Sequence, residues 1–450
     1  MHFTADKEVS GAIVELDPEA VITGRVTDAD GEPVPSATVS AVTEQWQRGF
    51  QIYKQVTYAQ ANDRGEYRLK VLPGRYYLKV LPALNAVLPS VFADEPGEPV
   101  MRGGVVVYPN AATIDGGSPI EVRPGQQLTG ITFKRPVVAA YHLRGAVKLY
   151  SPPAPVVAVN FRNRNGDRSP GNLFGATVKK DGTFDLMGVP AGSYWLELMP
   201  LRDSPTGRMA VDVIDRDVNG IKLPSIPQFD LKGKVRWEDD GVTEPLSSVK
   251  LHIDWLDWFQ FPFASVATPA ADGAFVFPFR PAGEYVITLA PESDVYIQSI
   301  SYDQREVEGG RLDLRNGAAG DVEIVLGTGT GQVEGGVHWP DLAPGAPPPP
   351  LPPGATAVLV SAGGVTGNTG ARSAEIDQSG HFEFRFVPPG RYFAFVSPRF
   401  DEGLWQNMDF VRKIQASGVA LDVTKKGSAK VEVPMLTNDD VRHAIEKVPR

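Results

Sequence analysis

The segment Asp272-Gly-Ala-Phe-Val-Phe-Pro-Phe-Arg-Pro-Ala-Gly-Glu-Tyr285 has the pattern of a β-hairpin. A Gly turn is followed by apolar residues two apart, then by a Pro/Gly turn and the sequence Gly-x-Tyr. Period-two alternation bounded by Gly and Pro is typical of half-buried strands joined by tight turns. The same pattern occurs four times along the chain, at 63–76, 181–194, 272–285 and 379–392.

The tyrosine that ends each copy follows a turn glycine by two residues, at the start of a strand. This placement resembles a tyrosine corner, in which the ring is buried and the hydroxyl bonds to a backbone group. We therefore predict that the four rings are largely buried, namely those of Tyr76, Tyr194, Tyr285 and Tyr392.

Each hairpin lies inside a longer repeat. An apolar-x-Gly-x-Val opening precedes it, and a further alternating strand closes the unit. The openings recur about every hundred residues, which is the size of one small β-sandwich. We therefore predict an all-β chain of four tandem immunoglobulin-like β-sandwich domains, at 20–138, 139–227, 228–328 and 329–436, followed by a C-terminal tail at 437–450.

The predicted joints between the sandwiches are short. They lie at 134–141, 224–227 and 327–331, and the second contains two prolines. Because short linkers restrict domain motion, we expect a semi-rigid rod. Sandwiches about 30 Å long would give it a length of about 120 Å. The Gly-rich joint at 327–331 is the expected bend.

The composition excludes several classes of partner. The chain has 450 residues, no cysteine, a formal net charge of −10 and a pI near 5.3. Without cysteine there is neither a disulfide nor a thiolate ligand. The acidic balance argues against nucleic acid or an anionic membrane as a partner. No apolar run of about eighteen residues is present, so we expect no membrane insertion.

Residues 24–39, Gly-Arg-Val-Thr-Asp-Ala-Asp-Gly-Glu-Pro-Val-Pro-Ser-Ala-Thr-Val, followed by Asn62-Asp-Arg-Gly-Glu-Tyr67, resemble the carboxypeptidase regulatory-like domain. That domain is a transthyretin-like or prealbumin-like β-sandwich, and its tandem use here is similar to secreted or surface proteins of acidobacteria. The resemblance implies a prealbumin-like fold and export, so we expect an extracellular, periplasmic or cell-surface protein whose leader is absent from this chain. In the carboxypeptidases the module does no chemistry, so the resemblance implies no activity.

The residues themselves indicate no catalytic site. The six histidines form no local metal motif, and no Gly-x-Ser-x-Gly sequence occurs. Residues 215–220 resemble the first half of a calcium loop, but Ile226 occupies the twelfth position, where a Glu closes such a loop. We therefore predict a protein that is not an enzyme and has no cofactor and no bound metal.

The least regular segment is aromatic and lies in the third unit. It contains the candidate contact residues Trp255, Asp257, Trp258, Phe259 and Phe261. Because Asp257 alternates in register with the aromatic residues, part of the segment is expected to reach solvent. Exposed aromatic rings beside carboxylates suit a sugar or a protein partner. The alternative is that these rings cover the edge of a sandwich or an interface between domains.

Residues 1–19 have the pattern of a closing strand without its own opening, and we expect them to be the end of a missing upstream unit. Gly11, Ile13, Val14 and Leu16 carry the alternation. A strand that stands alone leaves backbone groups unpaired. It is expected to pair locally with the first sandwich or, alternatively, with a neighbouring chain by strand addition, which would build oligomers.

These observations favour a non-catalytic extracellular structural, adhesion or interaction protein that presents surface along its sandwiches. Its expected partner is a protein or a polysaccharide at the cell surface. Two alternatives stay open. One is polysaccharide binding through the aromatic segment of the third sandwich, and the other is self-assembly through the N-terminal strand.

Deletion of residues 1–17 tests the self-assembly alternative. If the N-terminal strand pairs between chains, the deletion converts oligomers into monomers, because the unpaired donors and acceptors of the strand are removed. Light scattering at matched protein concentrations measures this change in mass. A full-length chain that is already monomeric at high concentration excludes the alternative.

Overall fold

The computed structural model describes residues 18–81, 100–149, 158–164, 175–198, 205–257, 265–289, 293–307, 310–339, 349–362 and 371–448. Within these ranges the strands form eight sheets, which face each other in pairs as four sandwiches. Each sandwich encloses its own cluster of buried apolar side chains. The prediction of an all-β chain of tandem β-sandwiches is confirmed.

The first two sandwiches span residues 20 to 223. Strands of the first are β1 (Ala20–Thr27), β2 (Thr38–Gln47), β3 (Phe50–Gln60), β4 (Glu66–Val71), β5 (Gly74–Leu81), β7 (Val106–Val107), β8 (Ile120–Val122), β9 (Gln127–Leu128) and β10 (Phe133–Lys134). The same stretch of chain contains β6 (Val100–Gly103), which belongs to a sheet of the second sandwich. Strands of the second are β11 (Val137–Val147), β12 (Ala158–Asn163), β13 (Gly175–Thr177), β14 (Thr183–Pro190), β15 (Gly192–Leu198), β16 (Arg208–Val213) and β17 (Val218–Leu223). Their sheets have the orders β10-β1-β4 and β3-β2-β5-β7, then β14-β11-β17 and β13-β12-β15-β16.

The last two sandwiches span residues 229 to 434. Strands of the third are β18 (Phe229–Trp237), β19 (Leu251–Trp255), β20 (Ser265–Ala267), β21 (Ala274–Arg280), β22 (Gly283–Leu289), β23 (Val295–Tyr302), β24 (Arg305–Glu306), β25 (Arg311–Leu314) and β26 (Val322–Thr328). Strands of the fourth are β27 (Gly331–His338), β28 (Thr356–Ser361), β29 (Arg372–Glu375), β30 (His381–Val387), β31 (Gly390–Ser397), β32 (Val419–Val423) and β33 (Ser428–Pro434). Their sheets have the orders β21-β18-β26-β23-β24 and β20-β19-β22-β25, then β30-β27-β33 and β29-β28-β31-β32.

The opening glycine of each unit lies opposite the first aromatic residue of the hairpin. On its other side the closing segment of the sandwich runs parallel to the opening strand. A Cβ at any of these glycines would collide with a carbonyl oxygen of that segment, so the position requires glycine. The four cross-strand pairs are Gly24 with Tyr67, Gly145 with Phe184, Gly233 with Phe275 and Gly335 with Phe382.

The four tyrosines form the corner predicted from the sequence. Their side chains are buried, with exposed fractions of 7% for Tyr76, 5% for Tyr194, 0% for Tyr285 and 3% for Tyr392. Each hydroxyl donates a hydrogen bond to the carbonyl oxygen four residues earlier. The prediction of buried rings is confirmed, and the bond ties the start of a strand to the preceding turn.

The fourth sandwich carries helices that the sequence reading missed. They are α1 (Glu402–Trp405), α2 (Met408–Ile414) and α3 (Asn438–Glu446). Trp405 and Phe410 pack with Phe395 on the outer face of the sheet, and α3 contributes Ala444 to the same cluster. Most of the predicted tail at 437–450 is therefore a packed helix, because it covers apolar side chains on the second face of that sheet.

The joints between consecutive sandwiches are held by hydrogen bonds. β6 pairs with β11, so a strand before the first joint extends a sheet of the second sandwich, and the proposed boundary at 138 falls inside β11. At the expected bend, the Asp294 carboxylate accepts hydrogen bonds from the backbone N–H groups of Gly329 and Thr330. Gly329 O in turn accepts a hydrogen bond from the N–H of Lys426 in the fourth sandwich. The third joint is therefore held by hydrogen bonds to both the third and the fourth sandwich.

The expectation of an extended rod is wrong, because the first sandwich also contacts the third and the fourth. β2 and β3 form a hairpin whose turn residues, Arg48 and Gly49, both have positive φ, as a two-residue type I′ turn requires. Arg48 donates to the carbonyl oxygen of Trp255 and lies 3.6 Å from the Asp254 carboxylate. We call this hairpin end, residues 46–49, the clasp.

The other side of the clasp binds the helices of the fourth sandwich. Gly49 N–H donates to Gly403 O at 3.0 Å, and the Asn407 amide donates to Gly49 O at 2.7 Å. The indole of Trp46 packs against the apolar cluster under these helices. The sandwiches therefore fold back on each other. The length of the linkers could not predict this arrangement, because the contacts join segments far apart in sequence.

Gly233→Ala tests the Gly–aromatic pairing. We expect the third sandwich to lose about 2–3 kcal/mol of stability, because the new methyl group overlaps Val322 O and the Phe275 ring. Urea unfolding measures the loss. Lys234→Ala, at the exposed next position of the same strand, is the matched control and should stay within about 0.5 kcal/mol of the parent. Equal effects of the two substitutions would contradict the pairing.

The corner tyrosines predict a loss of stability at alkaline pH. Burial raises the pKa of the Tyr194 and Tyr392 hydroxyls to about 12, from about 10 in an unfolded chain. Because the folded state holds these protons more tightly, their stabilising contribution is complete below pH 10 and is lost as the pH rises from about 10 to about 12. Denaturant unfolding across this range measures the loss.

Tyr392→Phe separates the contribution of one corner. The variant loses the bond to Pro388 O and about 1–2 kcal/mol at neutral pH, but its stability should fall less steeply above pH 10. Tyr58→Phe is the control, because Tyr58 is 60% exposed. Parallel pH curves for the parent and Tyr392→Phe would refute the interpretation.

Candidate functional site

Trp255 ends β19 with its side chain in the core of the third sandwich. Leu251, Ile253 and Trp255 alternate inward along the strand, and Trp255 is 4% exposed. Its ring stacks on Tyr285, with centroids 6.5 Å apart. Trp255 therefore does not offer the exposed ring expected of a surface contact residue, because the period-two alternation of its own strand directs it inward.

The other candidate residues of this segment divide into two groups. Trp258, Phe259 and Phe261 lie outside the described residues. Asp257 follows β19, and its carboxylate accepts a hydrogen bond of 2.6 Å from the N–H of Glu284. The Arg315 guanidinium lies 3.5 Å from the other oxygen of Asp257 and 2.8 Å from Glu284. Burial acts to lower the pKa of Arg315, but the charges of these carboxylates and of Asp313 hold it above its usual value.

A cavity of about 410 Å³ lies at the seam between the second and third sandwiches. We call it the seam cavity. Small-molecule sites measure roughly 300–1,000 Å³ and often lie at domain interfaces. Its lining includes both candidate residues that the structure describes, and its principal side chains are those of Trp195, Glu197, Arg208, Trp255, Asp257 and Arg315.

The second sandwich contributes the outer face of β15 and β16 to the seam cavity. Trp195 and Glu197 lie on the face of β15 opposite the core residues of the second sandwich, where Glu197 is 4% exposed and is paired across the strands with Arg208. The guanidinium of Arg208 lies 4.7 Å from the centroid of the Trp195 ring and 4.0 Å from the Glu197 carboxylate. The cation–π contact and the ion pair hold this arginine over a half-buried indole. The sequence reading missed all three residues because their face looks like an ordinary solvent-facing strand.

Hydrogen bonds to backbone groups also hold the two sandwiches together at the seam. Thr206 and Ile226 exchange two backbone hydrogen bonds, which pins the predicted linker to the second sandwich. The Thr206 hydroxyl accepts a hydrogen bond of 3.0 Å from the N–H of Ala282 in the third sandwich. The neighbouring glycine, Gly207, is required because Pro224 O approaches it where a Cβ would stand. The two sandwiches are thus held at a fixed distance across the cavity.

The remaining candidates do not form a site in the part of the chain that the structure describes. Asp217, from the segment that resembles a calcium loop, accepts from His142 N–H and pairs with Arg144 at 2.8 Å. Burial acts to raise the pKa of Asp217, but these hydrogen bonds and charges hold it below its usual value. The described ranges contain no group of three or more His, Asp and Glu residues placed to hold a metal ion. Gly11, Ile13, Val14 and Leu16 lie outside those ranges.

No helix among the described residues is both long and apolar enough to cross a membrane. This finding concerns helices only within the ranges given above.

Comparison with protein families matches one segment of the chain. Residues 21–83 match the carboxypeptidase regulatory-like domain family. The match spans β1 to β5 and confirms, for the first sandwich, the resemblance read from residues 24–39 and 62–67. No curated protein matches the chain.

Several solved structures resemble the chain at low identity. The Bacillus anthracis TIE protein is 10% identical, covers 95% of this chain and 75% of its own, and gives a TM-score of 0.19. A streptococcal ancillary pilin is 10% identical, with 66% and 100% covered and a TM-score of 0.21. The minor pilin GBS52 of Streptococcus agalactiae is 12% identical, with 46% and 97% covered and a TM-score of 0.21. Scores this low carry no inference about function.

Proposed function

We propose that this protein is a non-catalytic structural or adhesion protein of the cell surface, in which four β-sandwiches act as one preorganised body. The observation that carries the proposal is the clasp. It joins residues 46–49 to Asp254 and Trp255 in the third sandwich and to Gly403 and Asn407 in the fourth. A binding partner at the cell surface, protein or polysaccharide, then meets a surface whose domains are already ordered.

Preorganisation matters for adhesion because the free energy of the contacts with a partner must offset the conformational entropy that the protein loses on binding. A string of sandwiches on free linkers would lose that freedom on each binding event. Here the joints carry their own hydrogen bonds, and the clasp closes the chain from its first sandwich to its last. The carboxypeptidase regulatory-like match at residues 21–83 supports a module that assists or presents rather than reacts.

Polysaccharide binding is a second candidate function, and one observation favours it. Asp257, at the start of the aromatic segment, lines the seam cavity together with the half-buried ring of Trp195, whereas the Trp255 ring in the same lining is only 4% exposed. Sugar-binding surfaces combine aromatic rings with planar polar groups, which is the chemistry of this lining.

Solution scattering tests the clasped arrangement. We expect a maximum dimension well below the roughly 120 Å that four sandwiches would span end to end. The double variant Arg48→Ala, Asn407→Asp should lengthen the particle. Asn407→Asp keeps the oxygen that caps α2 by accepting from Phe410 N–H, but loses the donor to Gly49 O. Arg68→Ala, an exposed arginine on β4, is the matched control and should leave the dimension unchanged.

The functional proposal has its own test. Antibodies against the folded chain should label intact producing cells, because the protein is proposed to act outside the cytoplasm. Labelling only after lysis, or a parent dimension already near that of the open rod, would refute the proposal.

A further inference from the structure

We propose that the seam cavity binds a neutral oligosaccharide. This inference deepens the second candidate function and rests on it. It adds the residues Trp195, Glu197 and Arg208 of the second sandwich, so the site exists only where two sandwiches meet.

The charges of the lining favour a neutral ligand. Two carboxylates, Glu197 and Asp257, and two guanidinium groups, Arg208 and Arg315, line the cavity, so their formal charges cancel. Arg208 is placed opposite Glu197 on the adjacent strand, and Arg315 lies 2.8 Å from Glu284. A charged ligand would lose its hydration and meet no unopposed opposite charge, which makes its binding unfavourable. A ligand rich in hydroxyl groups can donate to Asp257 and accept from the two guanidinium groups without that penalty.

The aromatic part of the lining favours a sugar ring among neutral ligands. Trp195 is half-buried at the cavity, and the guanidinium groups of Arg208 and Arg164 lie 4.7 Å and 5.9 Å from the centroid of its ring. An indole offers a rigid apolar surface with little conformational entropy to lose, and the C–H groups of a sugar ring can pack on the part of this surface that the two guanidinium groups leave exposed. The guanidinium of Arg208, one-third exposed, lies beside that ring and can donate to the hydroxyl groups of a sugar, whereas the buried Glu197 carboxylate, 4.0 Å away, holds the arginine in place.

The opposite wall is already ordered. Asp257 is fixed by the N–H of Glu284, and Gly283 leaves room for the indole edge of Trp255 and for Asp257 because it lacks a Cβ. Arg48 of the clasp binds the carbonyl oxygen of Trp255 from outside. Few side chains must therefore be reorganised when a ligand enters, which favours affinity for a weakly interacting neutral ligand.

The test uses the whole chain and an array of neutral oligosaccharides together with oligosaccharides that contain uronic acids. We expect binding to neutral members, and titration calorimetry with the strongest of them gives its Kd. Trp195→Ala should raise that Kd about tenfold or more. Trp237→Ala is the matched control, because Trp237 is a half-buried tryptophan that does not line the cavity and whose indole N–H donates to Glu244 O.

Glu197→Gln tests the charge argument with little change of shape. It removes the carboxylate opposite Arg208, so the variant should gain binding to uronic-acid oligosaccharides that the parent lacks. Circular dichroism and thermal unfolding establish that each variant is folded. If Trp195→Ala unfolds the second sandwich, Trp195→Leu takes its place with the same expectation.

Each contrary outcome has a distinct meaning. Unchanged Kd in folded Trp195→Ala overturns the seam cavity as the site, but leaves polysaccharide binding as a candidate function. A parent chain that prefers uronic acids overturns the charge argument and the proposal with it. Absence of any glycan binding overturns both this inference and the second candidate function, whereas the adhesion proposal still depends on its own scattering and surface-labelling results.

Discussion

An aromatic ring packed over a glycine of the neighbouring strand recurs in every sandwich, and the rest of each unit depends on it. The opening strand must accept a hairpin on one side and a parallel closing segment on the other. At the Gly233–Phe275 pair, for example, the ring and the carbonyl oxygen of Val322 both occupy space that a side chain would fill. Only a residue without a Cβ lets the three backbones and the ring come together.

This constraint also fixes the far end of the hairpin. Once the aromatic residue is in place, the Pro/Gly turn and its tyrosine follow at a set distance, and the hydroxyl of the tyrosine closes the turn. In the third sandwich the tyrosine is Tyr285, whose strand neighbour is Trp255. The packing of the hairpin is common to all four units, but in the third unit it also places Trp255 at the seam with the second sandwich.

The seam and the clasp show how a chain of similar units acquires individual properties. The hairpin core is shared, whereas Arg48 and Thr206 each occur at one place and bind a different sandwich, and Asp294 binds the joint that leads to the fourth. Most of these contacts use backbone groups as partners, so they need one suitable side chain and a fixed distance. A polar cavity with balanced charge is the consequence at the seam, because Arg208 and Arg315 face carboxylates of their own sandwiches.

The all-β class, the four repeats and the buried tyrosines could be predicted from the sequence, because they follow from periodicity and local turn chemistry. The parallel closing segment, which makes glycine necessary in each opening strand, is seen only in the folded chain. Trp255 is buried because it is the last residue of β19 and continues the inward alternation of that strand, not the irregular segment that follows. The return of the first sandwich onto the fourth joins Gly49 to Gly403 and Asn407. Contacts between residues so far apart leave no periodic signal in either segment, so only the folded chain reveals them.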